Sequence, residues 1–149
     1  MAYQFDRHYI GGNWVTPHSN AHLDVENPYL VEVCGSAPLG DEDDVDLAVK
    51  AASAAFASWQ HSSIAQRQQV LRTMHEVLVG NLEELAQLWA LEVGTPITTA
   101  RQATGFLPVK VLEDLIAILE EFSFSSTLGT TRVDRVAVGP VAAITPRNY

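Results

Sequence analysis

Residues 141–144 read Val-Ala-Ala-Ile, four apolar positions in a row with no polar alternation. They limit the fold more than any other stretch. A short, β-leaning run that is apolar at every position is buried on both faces, as the strands of parallel sheets are. Such a strand needs a neighbour on each side and a crossover to reach it. Gly139-Pro140 turns the chain into the run, and Pro146-Arg147-Asn148 leads out of it. No partner strand of that kind follows within the 149 residues. The pattern predicts the front part of an α/β domain, in which helices lead up to one buried strand.

What precedes the run fits that reading. "YIGGNWV" (9–15) places aromatic and β-branched residues on both sides of Gly11-Gly12-Asn13, a hairpin signal, because the turn needs positive φ. "AHLDVENP" alternates through Leu23 and Val25 and closes at Asn27-Pro28; "LVEVCGSAPLG" reads as the next strand. The first 40 residues are expected to form a small antiparallel β unit.

Helices follow. Asp41 is a good N-cap, with Asp43 and Asp44 in the first turn. Val45, Val49, Ala52, Phe56 and Trp59 share one face. Ser63 and Gln66 form a capping box before the stripe Val70, Leu71, Met74, Leu78. Gly80-Asn81 breaks this helix, and Asn81 with Glu84 reads as another capping box. Gly94 is placed to end the third helix. Thr95 as cap and Pro96 at the first helical position predict a fourth, running to about Phe124, with a kink or break at Gly105 and Pro108. Strand character returns over 128–138. Leu71, Leu85, Trp89, Leu112, Leu115 and Leu119 are expected to lack part of the sheet they should cover.

The apolar fraction of 47% is globular, and the net charge of −9 argues against nucleic acid and anionic membranes as partners. The longest apolar runs fall far short of the ~20 residues of a membrane span. Cys34 is the one cysteine, so no internal disulfide forms. Met1 to His8 is polar and charged, unlike a secretory signal. Together these predict a cytoplasmic protein.

Few residues carry chemistry. "GSAPLG" (35–40) lacks the GK[ST] of a phosphate cradle, and no GxGxxG occurs. His8, His18, His22, His61 and His75 show no ligand spacing completed by a carboxylate or thiol, so no metal site is expected. Cys34 lies within a strand signal with no basic neighbour to lower its pKa, so it reads as a buried structural thiol. Asn148 follows the apolar run by four residues, where α/β proteins hold ligand-contacting loops. It is either a turn residue or a hydrogen-bond donor to a developing oxyanion.

Several pieces, in order, resemble the aldehyde dehydrogenase superfamily. "YIGGNWV" is similar to the family's opening hairpin. "VENPYLVEVCGSAPLGDEDDVDLAVKAASAAFASW" resembles its Asn-Pro turn, strand and first helix ending in Phe-x-x-Trp. "RQQVLRTMHEVLVGNLEELAQLWALEVGTPI" resembles the second helical segment, and "VGPVAAITPRNY" the G-V-x-x-I-x-P-W-N-[FY]-P strand and loop.

The resemblance implies a Rossmann-like cofactor domain of open, mostly parallel type, with 1–149 its single incomplete N-terminal part. Residues 128–138 resemble a strand of the family's oligomerisation arm, which implies a homo- or hetero-oligomer. The family oxidises aldehydes to carboxylates with NAD or NADP. By resemblance Asn148 is the oxyanion donor, and Ile144, Thr145, Pro146 and Arg147 border the cofactor cleft. Arg147 stands where the family motif has Trp. The family's nucleophilic Cys, general-base Glu, ribose-binding Lys and Gly-rich loop all lie later, and Cys34 aligns with an early strand. The chain alone is therefore expected to be an inactive fragment; the alternative is a binding or assembly module that associates with a full-length relative.

Overall fold

The computed structural model describes residues 3–145. The elements run β1 (Tyr3–Gln4), β2 (His8–Ile10), β3 (Asn13–Val15), β4 (His22–Asn27), β5 (Glu32–Pro38), α1 (Glu42–Trp59), α2 (Ile64–Gly80), α3 (Leu82–Val93), α4 (Ile97–Glu121), β6 (Ser125–Leu128) and β7 (Thr131–Asp134). The hairpin β2–β3 turns at Gly11-Gly12, with φ of 59° and 84°, and pairs Ile10 with Asn13. Tyr9 and Trp14 stack edge-on across it, with ring centroids 5.1 Å apart. The larger sheet has the order β1-β5-β4. β4 and β5 are antiparallel, but β1 pairs parallel to β5, Tyr3 opposite Gly35. The expected all-antiparallel unit is therefore mixed. The register slips between Val25 and Glu26, and beside the slip lies Cys34, buried as expected.

The capping signals read from the sequence are met in part. Asp41 accepts from the N–H of Asp43 and Asp44, and the Asp44 carboxylate accepts from the Asp41 N–H. Ser63 and Gln66 cap α2 reciprocally. Asn81 does not form the expected box: its Nδ2 donates to Val77 O at 2.7 Å, so its amide serves the end of α2. Pro96, not Thr95, is the N-cap of α4, and no side chain caps that helix. α4 is one continuous helix through Gly105 and Pro108. Pro108 has no N–H for Thr104 O, but Thr104 is buried and its hydroxyl donates to Ala100 O at 2.9 Å. Packing of α4 on α2 and α3 outweighs the local cost, since helix stability in proteins comes mainly from the packed face.

Polar cross-links hold the three helices. Gln68 Nε2 of α2 donates to Ile116 O of α4 at 3.1 Å. Arg101 of α4 grips Glu83 of α3 through Nε and Nη2, at 2.8 and 2.7 Å.

The β unit meets α3 at a joint built on Asn27. Asn27 is 7% exposed; its Oδ1 accepts from the N–H of Tyr29 and Leu30, and its Nδ2 donates to Leu91 O of α3 at 2.8 Å. Gly94 ends α3 at φ 73°, and a Cβ there would stand 2.7 Å from Pro28 Cγ. One Asn-Pro turn thus satisfies its own loop and seats it on the end of α3.

The core is thin. Cys34, Ala86 and Ala100 are its buried apolar residues, and no large side chain is fully buried among the described residues. The chain exposes 11475 Å², whereas a compact monomer of this mass exposes about 7,500 Å². The apolar faces read from the sequence are open in part: Val49 and Trp59 on α1, Val70 and Met74 on α2, Leu85 on α3 and Leu115 on α4 are exposed, whereas Leu71, Leu78, Trp89, Leu112 and Leu119 are half-buried. Among the described residues no helix is long and apolar enough to cross a membrane.

Candidate functional site

The segment leading to the candidate residues starts at the hairpin β6–β7. Strand structure was expected over 128–138; instead the chain doubles back at Gly129-Thr130, pairing Ser125 with Asp134, and 135–145 carries no strand. Residues 141–144 do not form the expected buried strand. Val141 is 76% and Ile144 94% exposed. The reason is the one that made the run informative: a strand buried on both faces needs partners, and no sheet edge among the described residues pairs with it.

The root of this segment is well held. Arg135 N donates to Phe124 O at 2.8 Å, and its guanidinium lies 5.6 Å from the centre of the Phe122 ring. Arg67, in the first turns of α2, lies 5.3 Å over Phe124. Its Nε donates to Ser62 Oγ at 2.9 Å and its Nη2 to Gln60 O at 3.3 Å. Phe122 and Phe124 meet edge-on at 4.8 Å. Two cation–π contacts therefore fix where 135–145 leaves the helices. Sequence reasoning missed this clasp; the Phe-x-Phe spacing after α4 was its one visible trace.

Of the candidate residues, Ile144 and Thr145 lie on the exposed segment. Pro146, Arg147 and Asn148 lie outside the described residues. With Ile144 open to solvent, no cleft closes around the described part of the group, and the residues present do not by themselves fit a dinucleotide.

A second cluster was not foreseen. His18 Nδ1 lies 2.6 Å from Asp41 Oδ2 and 3.4 Å from Asp43 Oδ2, and His18 N donates to Asp44 Oδ1 at 3.0 Å. Sequence spacing showed no carboxylate completing a set with the histidines; the fold brings two beside His18, because the loop after β3 folds back onto the start of α1. The hydrogen bond to Asp41, helped by Asp43, raises the His18 pKa above its ordinary 6.5. The same bond lowers that of Asp41. Ligand atoms of His18, Asp41 and Asp43 lie within 4.8 Å of one another. Asp41 already accepts two backbone N–H groups, so the cluster is accounted for as a helix cap with a histidine latch.

Comparison with known proteins adds what the exposed segment leaves open. A model of the aldehyde dehydrogenase family matches residues 14–149. A 3-succinoylsemialdehyde-pyridine dehydrogenase of a Pseudomonas species is 35% identical over 95% of this chain and 30% of its own length. Malonate-semialdehyde dehydrogenase 1 of Geobacillus kaustophilus is 32% identical over 96% of this chain and 30% of its own. Among solved structures, a mutant of aldehyde dehydrogenase C from Pseudomonas syringae, in complex with NAD+ and octanal, superposes with a TM-score of 0.79 at 34% identity. It covers 87% of this chain and 27% of that one. An aldehyde dehydrogenase from Bartonella henselae gives 0.81 at 29% identity, over 86% and 27%. The chain spans about 30% of the length of the curated relatives it matches, and the match lies in their N-terminal part.

Proposed function

The chain belongs to the aldehyde dehydrogenase family, and from that premise we propose that it is the N-terminal part of an enzyme oxidising an aldehyde to a carboxylate with NAD or NADP. The observation that supports this reading is the family match over 14–149; within that stretch the sequence itself carries Ile-x-Pro-x-Asn at Ile144, Pro146 and Asn148. Asn148 is assigned the oxyanion: its amide donates to the oxygen that gains charge when a nucleophile adds to the aldehyde. Ile144, Thr145, Pro146 and Arg147 border the cofactor. In the whole enzyme the cofactor would supply the hydride acceptor, and this chain would contribute one border of its cleft. Residues 1–149 then make up one incomplete N-terminal part of the cofactor domain, and the chain alone has no turnover, because it supplies no activated nucleophile or base.

The test joins this chain, in one polypeptide, to the segments that follow the matched stretch in the Pseudomonas syringae enzyme. NADH formation from octanal is followed. Turnover is expected, rising when Arg147→Trp restores the family motif. Asn148→Ala is expected to lower it about 10²- to 10³-fold. A folded fusion that binds NAD yet stays inactive with Trp at 147 overturns the reading.

The β6–β7 hairpin favours a second reading, an assembly module for a full-length relative. A two-stranded hairpin with open edges is marginal alone and pairs readily, and 128–138 is proposed as part of the oligomerisation arm. Mixing with a full-length relative and finding no shared oligomer by size removes it.

A further inference from the structure

The start of α2 and the chain leaving β7 face each other across a hollow of about 500 Å³. Arg67, Arg135, Ser62 and Ser63 line its polar side, Phe124 and Val136 its apolar side. Among the described residues no carboxylate lines it. In a chain with 18 acidic against nine basic residues, that is a local reversal of charge. Arg7, Arg101, Lys110 and Arg132 each meet a carboxylate. Arg67 and Arg135 meet none among the described residues; they lie over the Phe124 and Phe122 rings instead.

The clasp leaves donors over. A guanidinium carries five N–H groups. Arg67 commits Nε to Ser62 Oγ and Nη2 to Gln60 O, and its Nη1 has no partner among the described residues. Arg135 donates from Nη1 to Ser123 O, at a long 3.4 Å, and its other nitrogens have no partner among the described residues. Ser62 Oγ accepts from Arg67 Nε and Ser63 Oγ accepts from Gln66 N, so both hydroxyls keep a proton to give.

Donors converging from two elements, with no negative charge between them, call for an anion. A carboxylate is planar, and one guanidinium satisfies it with a forked pair of bonds. A phosphate points its oxygens in several directions and can accept from both guanidiniums and from the serine hydroxyls at once. The hollow falls within the range of about 300–1,000 Å³ typical of small-molecule sites, and its apolar side suits an organic group attached to the phosphate. We propose that this hollow binds a small phosphate ester, whose phosphate bridges Arg67 and Arg135. Occupied, it ties the start of α2 to the root of 135–145, the segment that leads to Ile144. The inference stands on these side chains and does not rest on the family reading.

The experiment titrates phenyl phosphate, inorganic phosphate and acetate, each separately, into the 149-residue chain. Ionic strength is kept low, because salt screens such contacts. Amide NMR shifts report binding. The expected result is saturable 1:1 binding of phenyl phosphate, tighter than inorganic phosphate, with shifts confined to 60–67 and 122–137 and none with acetate. Val136→Asp sets a carboxylate in the hollow at a position 83% exposed, and therefore compatible with folding. It is expected to abolish saturation while leaving the helical circular dichroism unchanged. Arg135→Gln is expected to weaken binding about tenfold. Lys50→Gln, at an exposed position on α1, is expected to leave it unchanged. Absence of saturation, or shifts spread over the whole chain, overturns the proposal. So does binding that survives Val136→Asp, or that Lys50→Gln weakens as much as Arg135→Gln does. Acetate binding as well as phosphate, or phenyl phosphate no tighter than inorganic phosphate, overturns the choice of ligand.

Discussion

The joint at Asn27 and the apolar groove that Leu85 lines with Met74 and Val77 both involve one helix, α3, and could hardly differ more. At the joint the polar side chain is engaged on both its ends: Asn27 serves Tyr29, Leu30 and Leu91, and Gly94 leaves room for Pro28. At the groove the apolar side chains have been gathered and left open. The contrast teaches that a fragment can hold its local polar geometry while its hydrophobic driving force stays largely unused, because hydrogen bonds close over a few ångströms and burial requires a whole opposing layer.

The comparison can be broken at the joint first. Gly94→Ala forces a Cβ against the Pro28 ring and a left-handed backbone onto an L residue; a loss of about 3 kcal/mol is expected, read as a lower urea midpoint. Asn27→Ala leaves the Leu91 carbonyl and two N–H groups without their partner and is expected to cost about 2–3 kcal/mol by the same measurement. Equal tolerance of these changes and of Met74→Glu would erase the distinction between the two regions. Met74→Glu should stay within about 0.5 kcal/mol of the parent chain.

Val31 sharpens the same point. It follows the Asn-Pro turn at φ 55°, costly for a β-branched residue, and is 71% exposed. Val31→Gly is expected to raise stability by about 0.5–1 kcal/mol.

The smallest effects are electrostatic. Arg101 and Gln87 pull the Glu83 carboxyl down to about 2, from 4.5. A depressed folded pKa stabilises above the unfolded value and loses that contribution as pH falls through about 2. Arg101→Ala should therefore flatten the acid end of the stability curve, a modest change for an exposed pair. For His18 the sign reverses. Its raised pKa gives a contribution fully present below 6.5 and lost as pH rises through the folded value, and His18→Ala should remove that slope. A His18 resonance titrating at its ordinary pKa would show that the loop is not latched to α1.

What could be read in the sequence was what acts within a few residues. Gly11-Gly12 turned the hairpin, Asp41 and Ser63 capped their helices, and Gly94 ended α3, because each depends on backbone angles or on hydrogen bonds spanning at most four residues. The helical stripes were equally legible. The family reading rested on the order of such pieces. Of the candidate site, the sequence marked Asn148 and its neighbours, and the described structure reaches only Ile144 and Thr145.

Tertiary structure alone decided the rest. Tyr3 pairs parallel to Gly35, His18 latches onto Asp41, and Asn27 reaches Leu91, sixty-four residues away. None of these leaves a local trace, since loop closure brings together groups that chain spacing does not relate. The same holds in reverse for 141–144. Its composition asked for a buried strand, but a strand is made by its neighbours, and an apolar run without them stays exposed.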